Sequence, residues 1–374
     1  MPTIVDIAVF SGRISEKTTW TFVRVRDAAG RYGWGEATLQ GEASAVHANV
    51  ARLTPAITGR ALPRSIETSA MVGTCGESLA EAAAISAIDQ ALWDLSAQER
   101  HQPLVNVLGN PCRTTIELYA NINRGTLDRT PSGFAARARE ATSRGFNAIK
   151  IAPFDDARPE TAAGAAGRRL LAAGIERVNA VRASIGEDRK LLVDCHWRLT
   201  EASASEVLRE LESSSLYWFE CPLLEEPSMF PALRRLRSQA NDIGVRLAGC
   251  ETLIGFDAFQ SFLDADVYDV IMPDVKYTGG LVETLRIGEA ASARGTLCSP
   301  HNPSGPIAHA HSVHVSALLP SFPFLEFQYE ESPLFFDLLH GELPDPRGGT
   351  SALPTSHGLG VGVNLTRLPE WRTA

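Results

Sequence analysis

Acidic side chains end several short apolar runs in the second half of this sequence. Asp194, Glu220 and Glu251 close three successive runs and lie 26 and 31 residues apart. If these runs are neighbouring parallel strands, the three carboxylates meet at one edge of the sheet, where burial without a counterion is costly. A hard divalent cation is the partner that such oxygen donors favour. The spacing therefore predicts a site for Mg²⁺, or for Mn²⁺. Glu225 and Glu226 are alternative ligands in place of Glu220.

Two histidines and a lysine lie near the predicted metal ligands. His196 follows Asp194 by two residues, so strand alternation predicts that both side chains enter the same space. A histidine that only bonds a backbone carbonyl is the alternative. Lys150 ends an otherwise apolar run, where a lone ammonium is costly, so it either faces the site or serves only in an ion pair. Asp274 and His301 end neighbouring runs, and an Asp that orients a His makes the imidazole a better base.

Two more charged residues follow the same runs. Glu326 ends the last run and is predicted to join the site. Lys276 lies two residues beyond Asp274, past the end of the predicted strand, and is interpreted as a solvated loop residue. The residue types and their positions together predict a cavity that binds a cation and holds a base able to remove a proton.

Short apolar runs alternate with amphipathic stretches from residue 116 onward, which is typical of repeated βα units around a parallel sheet. An open doubly wound sheet shows the same alternation, but no GxGxxG follows the first run and polar residues end many different runs, which favours a closed barrel. Predicted helices include 133–144, 170–183, 202–213 and 280–294. The eight runs are 116–122, 147–152, 190–194, 216–220, 246–249, 268–272, 296–299 and 323–327.

The two ends of the chain flank the predicted barrel. Residues 18–26 and the run after the next turn indicate antiparallel strands, and the Ala-rich stretch 77–100 has apolar residues at helical spacing. We therefore predict an α+β module over 1–115, a barrel over 116–340, and a tail over 341–374 that returns to the first module.

Composition and charge narrow the classes of partner. The 374 residues carry a formal net charge of -9, and this acidic chain has no Lys/Arg stripe, which argues against a nucleic-acid partner. No apolar run approaches the length of a membrane span. A cytoplasmic protein that binds a small molecule is predicted, with its scattered cysteines expected to be reduced thiols. The cysteines are Cys75, Cys112, Cys195, Cys221, Cys250 and Cys298.

The order and spacing of these motifs resemble the enolase superfamily, specifically its mandelate racemase subgroup. The resemblance spans nearly the whole chain and rests on VDCH, WFECP, AGCET, MPDVKYTGG, SPHNPSGP and FLEF. It implies a modified TIM barrel of the (β/α)7β type, with an N-terminal α+β capping domain that the C-terminal tail completes, and a dimer or larger homo-oligomer. It also implies Mg²⁺ on the three carboxylates, an Asp274–His301 dyad, and a hydrogen bond between Glu326 and an enolate oxygen.

One departure distinguishes activities within the subgroup. Racemising members carry Lys-x-Lys on the second strand, whereas Lys150 is followed here by Ile and Ala, so one of two opposing bases is missing. The pair Asp194-x-His196 instead resembles acid-sugar dehydratases such as galactonate dehydratase. We therefore predict a lyase of sugar-acid catabolism that forms a 2-keto-3-deoxy acid. In it His301 is the base, His196 protonates the departing hydroxyl, and Mg²⁺ and Lys150 stabilise the developing charge.

Two other functions stay open at this point. An epimerase or cycloisomerase on the same scaffold would use Lys150 as the opposing base and exchange the α-proton without losing water. A noncatalytic barrel that binds sugar acids would need neither a metal triad nor a dyad. Substrate specificity is expected to lie in the capping segment 11–20 and at the barrel mouth. The candidate substrate-binding residues are Trp20, Asn123, Arg124 and Arg198.

Overall fold

All eight predicted runs are strands, and they follow one another around a single parallel sheet. The computed structural model describes residues 2–63, 67–73, 76–162 and 164–370. The strands are β1 Ile4–Arg13, β2 Thr19–Asp27, β3 Tyr32–Glu36, β4 Thr115–Asn121, β5 Ala148–Ile151, β6 Lys190–Asp194, β7 Trp218–Glu220, β8 Arg246–Gly249, β9 Val270–Ile271, β10 Leu297–Cys298, β11 Leu325–Gln328, β12 Leu339–Gly341, β13 Thr350–Ala352 and β14 Val361–Val363. The helices are α1 Ala43–Ile57, α2 Glu67–Val72, α3 Leu79–Glu99, α4 Leu104–Leu108, α5 Pro131–Ser143, α6 Ala165–Ile185, α7 Glu201–Glu210, α8 Phe230–Asp242, α9 Gly255–Ala265, α10 Leu281–Ser292, α11 Pro306–Ser316 and α12 Leu334–Asp337.

Strands β4 to β11 form the barrel. Each pairs in parallel with the next as far as β10, and β11 pairs with β4. Between β10 and β11, the Ser299 hydroxyl donates to the Phe324 carbonyl at 2.6 Å, and the Cys298 N–H donates to the Ser321 carbonyl at 3.0 Å. One helix, α5 to α11 in turn, follows each of the first seven strands. The order never reverses as it does in a doubly wound sheet, so the fold is the (β/α)7β barrel.

Two of the barrel helices, α5 and α7, begin at residues whose side chains cap them. The Thr200 hydroxyl accepts a hydrogen bond from the Ser203 N–H at the start of α7, and the Ser203 hydroxyl accepts one from the Thr200 N–H, which together form a capping box. Thr130 caps α5, and Pro131 occupies its first turn, where no N–H is needed. These local signals indicate where α5 and α7 begin above the barrel mouth.

A three-stranded antiparallel sheet, β1 to β3, packs against α3 and forms the cap. Gly33 and Gly35 of β3 permit this close approach, because a Cβ at either position would lie about 2 Å from the carbonyl oxygen of Ala91 or Ala87. The strands and the Ala-rich helix predicted for this part of the sequence are therefore present. No helix in the described part of the chain combines the length and apolar character needed to cross a bilayer.

Buried polar contacts join the cap to the barrel. Gln90 of α3 accepts from the Glu36 N–H and donates to the Val275 carbonyl beyond β9, each at 3.0 Å. The Glu36 carboxylate accepts from the N–H groups of Gly305 and Ala308 at the start of α11. A carboxylate at a helix N-terminus is stabilised by the unpaired N–H groups there. The cap is thus held directly over the barrel mouth.

The C-terminal tail contacts both other parts. Strand β13 pairs antiparallel with β4 of the barrel, and β14 pairs with β12. On the cap side, the Leu359 N–H donates to Asp94 at 2.8 Å, and Leu104 donates to the Gly358 carbonyl at 2.8 Å. The predicted limits at residues 115 and 340 stay a prediction.

Three buried histidines of α11 should make the fold sensitive to acid. Burial lowers the pKa of His309 and of His311 to about 3 and that of His314 to about 4. In the unfolded chain each takes up a proton near pH 6.5, so unfolding binds protons and stability falls as the pH drops below that value. Each histidine should cost about 2 kcal/mol of unfolding free energy between pH 7 and pH 5.

Urea unfolding followed by circular dichroism at both pH values measures this loss. His309→Gln should reduce the pH-dependent loss by about 2 kcal/mol, the share of one histidine, because glutamine does not titrate. The matched control is His357→Gln, whose ring is exposed, and it should leave the loss unchanged. An equal pH effect in wild type and His309→Gln would contradict the assignment.

Candidate active site

Three carboxylates meet at the C-terminal ends of β6, β7 and β8. Asp194 and Glu220 are paired residues at the ends of adjacent strands, and Glu251 follows β8 after a left-handed residue, Cys250, with φ of 74°. One oxygen from each carboxylate lies within 4.8 Å of the others. All three are buried, with Asp194 2%, Glu220 0% and Glu251 5% exposed. The three predicted ligands are therefore brought together.

The electrostatics of this cluster call for a cation. Burial raises the pKa of Glu220 to about 8, with the charge of Asp194 adding to the shift. Burial and the charges of Asp194 and Glu220 also raise the pKa of Glu251 well above its usual value. Glu251 Oε2 accepts no hydrogen bond from the described part of the chain. A buried all-oxygen donor set with an unpartnered acceptor fits a divalent cation such as Mg²⁺ or Mn²⁺.

The surroundings of Glu220, Glu225 and Glu226 show which of the three is placed to be a metal ligand. Trp218 on the same strand donates its indole N–H to Glu220 Oε2 at 2.8 Å and so orients that carboxylate. Glu225 lies outside the cluster and accepts from the Cys250 N–H at 2.6 Å. Glu226 is exposed. Of the three glutamates, the geometry selects Glu220.

Lys150 lies beneath the cavity at the end of β5. It is 1% exposed, and its ammonium donates to Glu220 Oε1 at 2.7 Å and lies 2.9 Å from Glu326 Oε1. Burial opposes its charge, but Glu220 and Glu326 more than compensate and hold the pKa of Lys150 well above its usual value. Lys150 therefore faces the site, as the first of the two readings predicted, and it is ion-paired there.

The predicted Asp274–His301 pair is formed. His301 Nδ1 lies 2.8 Å from Asp274 Oδ2, and the other nitrogen, Nε2, lies 3.5 Å from Glu251 Oε2 in the cavity. Burial lowers the pKa of His301, and the bond to Asp274 offsets this only in part. The imidazole is thus neutral near pH 7, with Nε2 free to accept a proton when Nδ1 is bonded to the carboxylate.

Glu326 on β11 is fully buried and lies against Lys150, which lines the cavity. Its Oε1 accepts from Asn121 at 2.7 Å, and its Oε2 accepts from the Asn302 N–H at 2.9 Å. Burial raises the pKa of Glu326, but Lys150 and His301 outweigh this effect, and the net pKa is lowered. In this arrangement Glu326 is ionised and accepts hydrogen bonds. Donation to an enolate oxygen, as the resemblance implied, requires that Glu326 first gain a proton.

His196 enters the cavity, although not through strand alternation. Strand β6 ends at Asp194, and His196 and Trp197 both adopt left-handed backbone conformations, with φ of 47° and 55°. This turn brings His196 Nε2 to 3.0 Å from Asp194 Oδ2. Burial opposes the imidazolium, but the charge of Asp194 outweighs it and raises the pKa of His196. Left-handed conformations of bulky residues are strained and cluster at functional sites.

A cavity of about 640 Å³ lies above these groups, between the barrel mouth and the cap. Three predicted substrate-binding residues line it, but two are largely occupied. Asn123 accepts from the Ala152 N–H and donates to Asn121, and Arg124 bonds the Pro303 carbonyl at 3.1 Å. Arg198 makes one contact, to the Ala157 carbonyl at 3.3 Å, and its buried Nε has no described partner.

Trp20 requires a correction. Its side chain is 2% exposed, does not line this cavity, and packs edge-on against Phe22 and Phe335 in the core. Successive side chains on a strand point to opposite faces. Thr19, the preceding residue of β2, lines the cavity, so Trp20 faces away from it. The predicted capping segment does reach the site, through Lys17 and its threonine neighbours.

Lys276 requires a second correction. It is not a solvated loop residue, since it is 1% exposed and its ammonium lies 2.5 Å from Asp274 Oδ2. The cap covers the segment after β9, which the sequence pattern did not indicate. Burial opposes the charge of Lys276, but Asp274 outweighs it and raises the pKa of Lys276.

Several cavity residues were not anticipated. Asn121 and Gln328 lie at the ends of β4 and β11 and line the cavity. Their position at strand ends was the signal that had identified the acids, and it applied equally to amides. Arg129 and Asp155 lie on two separate loops and form an ion pair that lines the cavity. A pairing between separate loops cannot be predicted from a local sequence pattern.

The described cysteines contain no disulfide. Cys195, Cys221, Cys250 and Cys298 are buried, and Cys112 is exposed. Burial raises the pKa of the buried thiols, which keeps them protonated. These observations agree with reduced thiols at these five positions, whereas Cys75 lies outside the described residues.

Known proteins share this architecture. The model of the mandelate racemase / muconate lactonizing enzyme N-terminal domain matches residues 5–109, and the enolase C-terminal domain-like model matches residues 133–367. A D-gluconate dehydratase from Thermoproteus tenax is 32% identical over 295 residues, which cover 79% of this chain and 57% of that protein. A D-galactonate dehydratase from Xanthomonas campestris pv. campestris (strain B100) is 28% identical over 370 residues, covering 94% and 93% of the two chains.

A solved structure shows a different activity on this scaffold. The 3,6-anhydro-D-galactonate cycloisomerase from Zobellia galactanivorans has a TM-score of 0.82 and 26% identity to this chain, over 98% of each chain. The first of the two family models covers the cap, and the second covers most of the barrel. The strand ends carry the carboxylates and the Asp–His pair expected from the resemblance. This chain is an enzyme of the mandelate racemase subgroup of the enolase superfamily.

Proposed function

We propose that this enzyme is a metal-dependent hydro-lyase that removes water from a sugar acid and releases a 2-keto-3-deoxy acid. The observation that carries the proposal is that two histidines line one cavity, each beside a different carboxylate of the cluster. His301 lies beside Glu251, and His196 lies beside Asp194. One group is needed to take the α-proton and another to protonate the departing hydroxyl. The dehydratase relatives support this reading.

The proton is removed by His301. Its Nδ1 is bonded to Asp274, so Nε2 carries the lone pair that accepts the proton from the carbon next to the substrate carboxylate. The imidazolium formed in this step is stabilised by the Asp274 carboxylate. Neutral His301 is the form required before the reaction, and burial favours that form.

The negative charge that develops on the substrate requires stabilisation. Asp194, Glu220 and Glu251 would hold Mg²⁺ or Mn²⁺, which when bound acts as a Lewis acid toward the substrate carboxylate. Lys150 adds a fixed positive charge that needs no reorganisation, because its ammonium is already held by Glu220 and Glu326.

Departure of the hydroxyl is assisted by His196. As the bond from the β-carbon to oxygen breaks, the electron pair left by the α-proton forms the carbon–carbon double bond. The imidazolium of His196 gives its proton to the leaving oxygen, which departs as water. The raised pKa of His196 favours the imidazolium. The enol product then tautomerises to the 2-keto acid.

Binding of the substrate is assigned to the wall of the cavity. Arg198 has an unpartnered buried Nε in the cavity wall and is the predicted mouth residue with most of its donors uncommitted. We assign it to a distal oxygen of the sugar acid, while Asn123 and Arg124 shape the cavity through their contacts with the chain. A cytoplasmic location and a homo-oligomer stay predictions.

An epimerase or cycloisomerase is the second candidate, favoured by the cycloisomerase structure that resembles this chain. That reading needs a second base. Lys150 would have to be neutral to serve, but two carboxylates within 2.9 Å stabilise its ammonium. The contacts of Lys150 therefore favour elimination over inversion at the α-carbon.

His196→Asn separates the two candidates. The variant should lose most keto-acid formation, roughly 10²–10⁴-fold, because a positioned acid contributes that much. It should keep measurable exchange of the α-proton, since His301 and the charge-stabilising groups remain. The measurement is NMR of each sugar acid of a library in D₂O, run beside a keto-acid assay.

The matched control is His357→Asn in the exposed tail, which should behave as wild type in both assays. Dehydration at the wild-type rate by His196→Asn would remove this histidine from the mechanism. Inversion of the α-carbon by the native enzyme without loss of water would replace the dehydratase with the epimerase.

A further inference from the structure

Lys276 holds both oxygens of Asp274. Its backbone N–H donates to Asp274 Oδ1 at 2.8 Å, and its ammonium donates to Asp274 Oδ2 at 2.5 Å. Only 2% of the Lys276 side chain is exposed, so solvent does not compete for these bonds. A single residue thus fixes the plane and the rotation of this carboxylate.

The same carboxylate oxygen orients His301. Asp274 Oδ2 accepts the ammonium of Lys276 and lies 2.8 Å from His301 Nδ1. Rotation of the carboxylate would break both contacts together. Without Lys276, Asp274 would gain freedom to turn, and His301 would lose the fixed partner that directs Nε2 into the cavity. Small displacements of a catalytic group carry large losses of rate.

The cap contacts the segment that carries Lys276. Gln90 donates to the Val275 carbonyl at 3.0 Å, and Tyr277 donates its hydroxyl to the Thr38 carbonyl at 3.2 Å. The Lys276 ammonium lies 4.6 Å from the centre of the Tyr277 ring. Farther along, the Gly279 N–H donates to Ser86 of the cap helix. The residues after β9 are therefore held between the barrel and the cap.

We propose that Lys276 is a positioning residue, which transmits the docking of the cap to the orientation of the Asp274–His301 pair. This inference rests on the proposed function, in which His301 removes the α-proton. Lys276 acts through Asp274 and need not touch the substrate. Its ammonium cannot be replaced by a neutral apolar group of similar length, because Lys276 would then hold Asp274 only through the backbone N–H bond to Oδ1.

The test compares Lys276→Met with Lys276→Arg. Lys276→Met should lower kcat for α-proton exchange on the order of 10²-fold, with KM changed less than about threefold, since orientation and not substrate binding is lost. Lys276→Arg keeps a charged donor and should recover part of the rate. The matched control is Lys190→Met, at the opposite end of the barrel strand β6, which should retain wild-type kinetics.

A second measurement does not depend on turnover. In the protein without substrate, the low-field proton resonance of His301 Nδ1–H reports its bond to Asp274, and His301→Asn assigns it. We expect this resonance to be lost or broadened in Lys276→Met and retained in Lys276→Arg and Lys190→Met. Thermal unfolding of each variant establishes that it is folded.

Three outcomes would overturn the inference. They are an unchanged resonance and exchange rate in Lys276→Met, a rise in KM with kcat unchanged, and an equal loss of kcat in Lys190→Met. If the wild-type enzyme exchanges no α-proton with any sugar acid, the proposed function fails by itself, and the resonance still decides whether Lys276 positions His301.

Discussion

Removal of divalent cations with a chelator is expected to abolish turnover, and added Mg²⁺ or Mn²⁺ should restore it. Without a cation, the three clustered carboxylates repel one another, and burial together with this repulsion raises the pKa values of Glu220 and Glu251. Turnover should therefore fall to background in the chelated enzyme. The rate of keto-acid formation before and after metal is returned measures this effect.

Glu251→Gln tests the same site without a chelator. It replaces the carboxylate whose Oε2 lacks a described hydrogen-bond partner, so it should weaken Mn²⁺ binding measured by electron paramagnetic resonance. Turnover should fall roughly 10²–10³-fold or more, the loss that follows removal of one group that stabilises developing charge. Glu226→Gln is the matched control, because Glu226 is exposed and outside the cluster. Full activity in metal-free buffer would refute the metal site.

His301→Asn should remove exchange of the α-proton with solvent deuterium by roughly 10²–10⁴-fold, the usual contribution of a positioned general base. Asparagine can fill part of the space of the imidazole but cannot take the proton. Asp274→Asn should cause a smaller loss, because the base is retained while its tautomer and orientation are disturbed. NMR of the substrate α-proton in D₂O measures both effects.

His309→Gln is the matched control for this pair. His309 is fully buried, whereas the His301 side chain is 12% exposed, and His309 packs against Phe327 and Phe335 and does not line the cavity. Its variant should exchange the α-proton at the wild-type rate at pH 7. Exchange at the normal rate by His301→Asn would transfer the role of base to Lys150 or His196 and leave the Asp274–His301 pair with a structural role.

The positions of the acids could be predicted because they depend on local pattern. Asp194 and Glu220 end their strands and Glu326 lies in the last strand of the barrel, so the parallel arrangement brings all three to one side of the sheet. The Asp274–His301 pair followed from the same rule applied to β9 and β10. Hydrophobic periodicity and strand ends are properties of a few consecutive residues, so they can be recognised before any tertiary contact is known.

Contacts that depend on the cap could not be predicted in this way. Lys276 was interpreted from its distance to a strand, and Trp20 from its residue type. In the structure Lys276 is buried beneath the cap, and Trp20 is buried in the hydrophobic core. The orientation of His196 depends on a left-handed turn beyond β6, where strand alternation no longer applies. Pairing between separate loops, as for Arg129 and Asp155, leaves no periodic signal.

The order of the barrel strands, the donor types at their ends and the enzyme family could be recognised from the amino-acid sequence. The fold was needed to show which charges are buried, which side chains face the cavity and which donors have no described partner. Secondary structure and strand ends follow from short-range pattern, so they can be recognised without knowledge of distant contacts. Burial and charge pairing depend on which distant segments cover a residue. In this protein the cap over the barrel mouth covers the segment after β9.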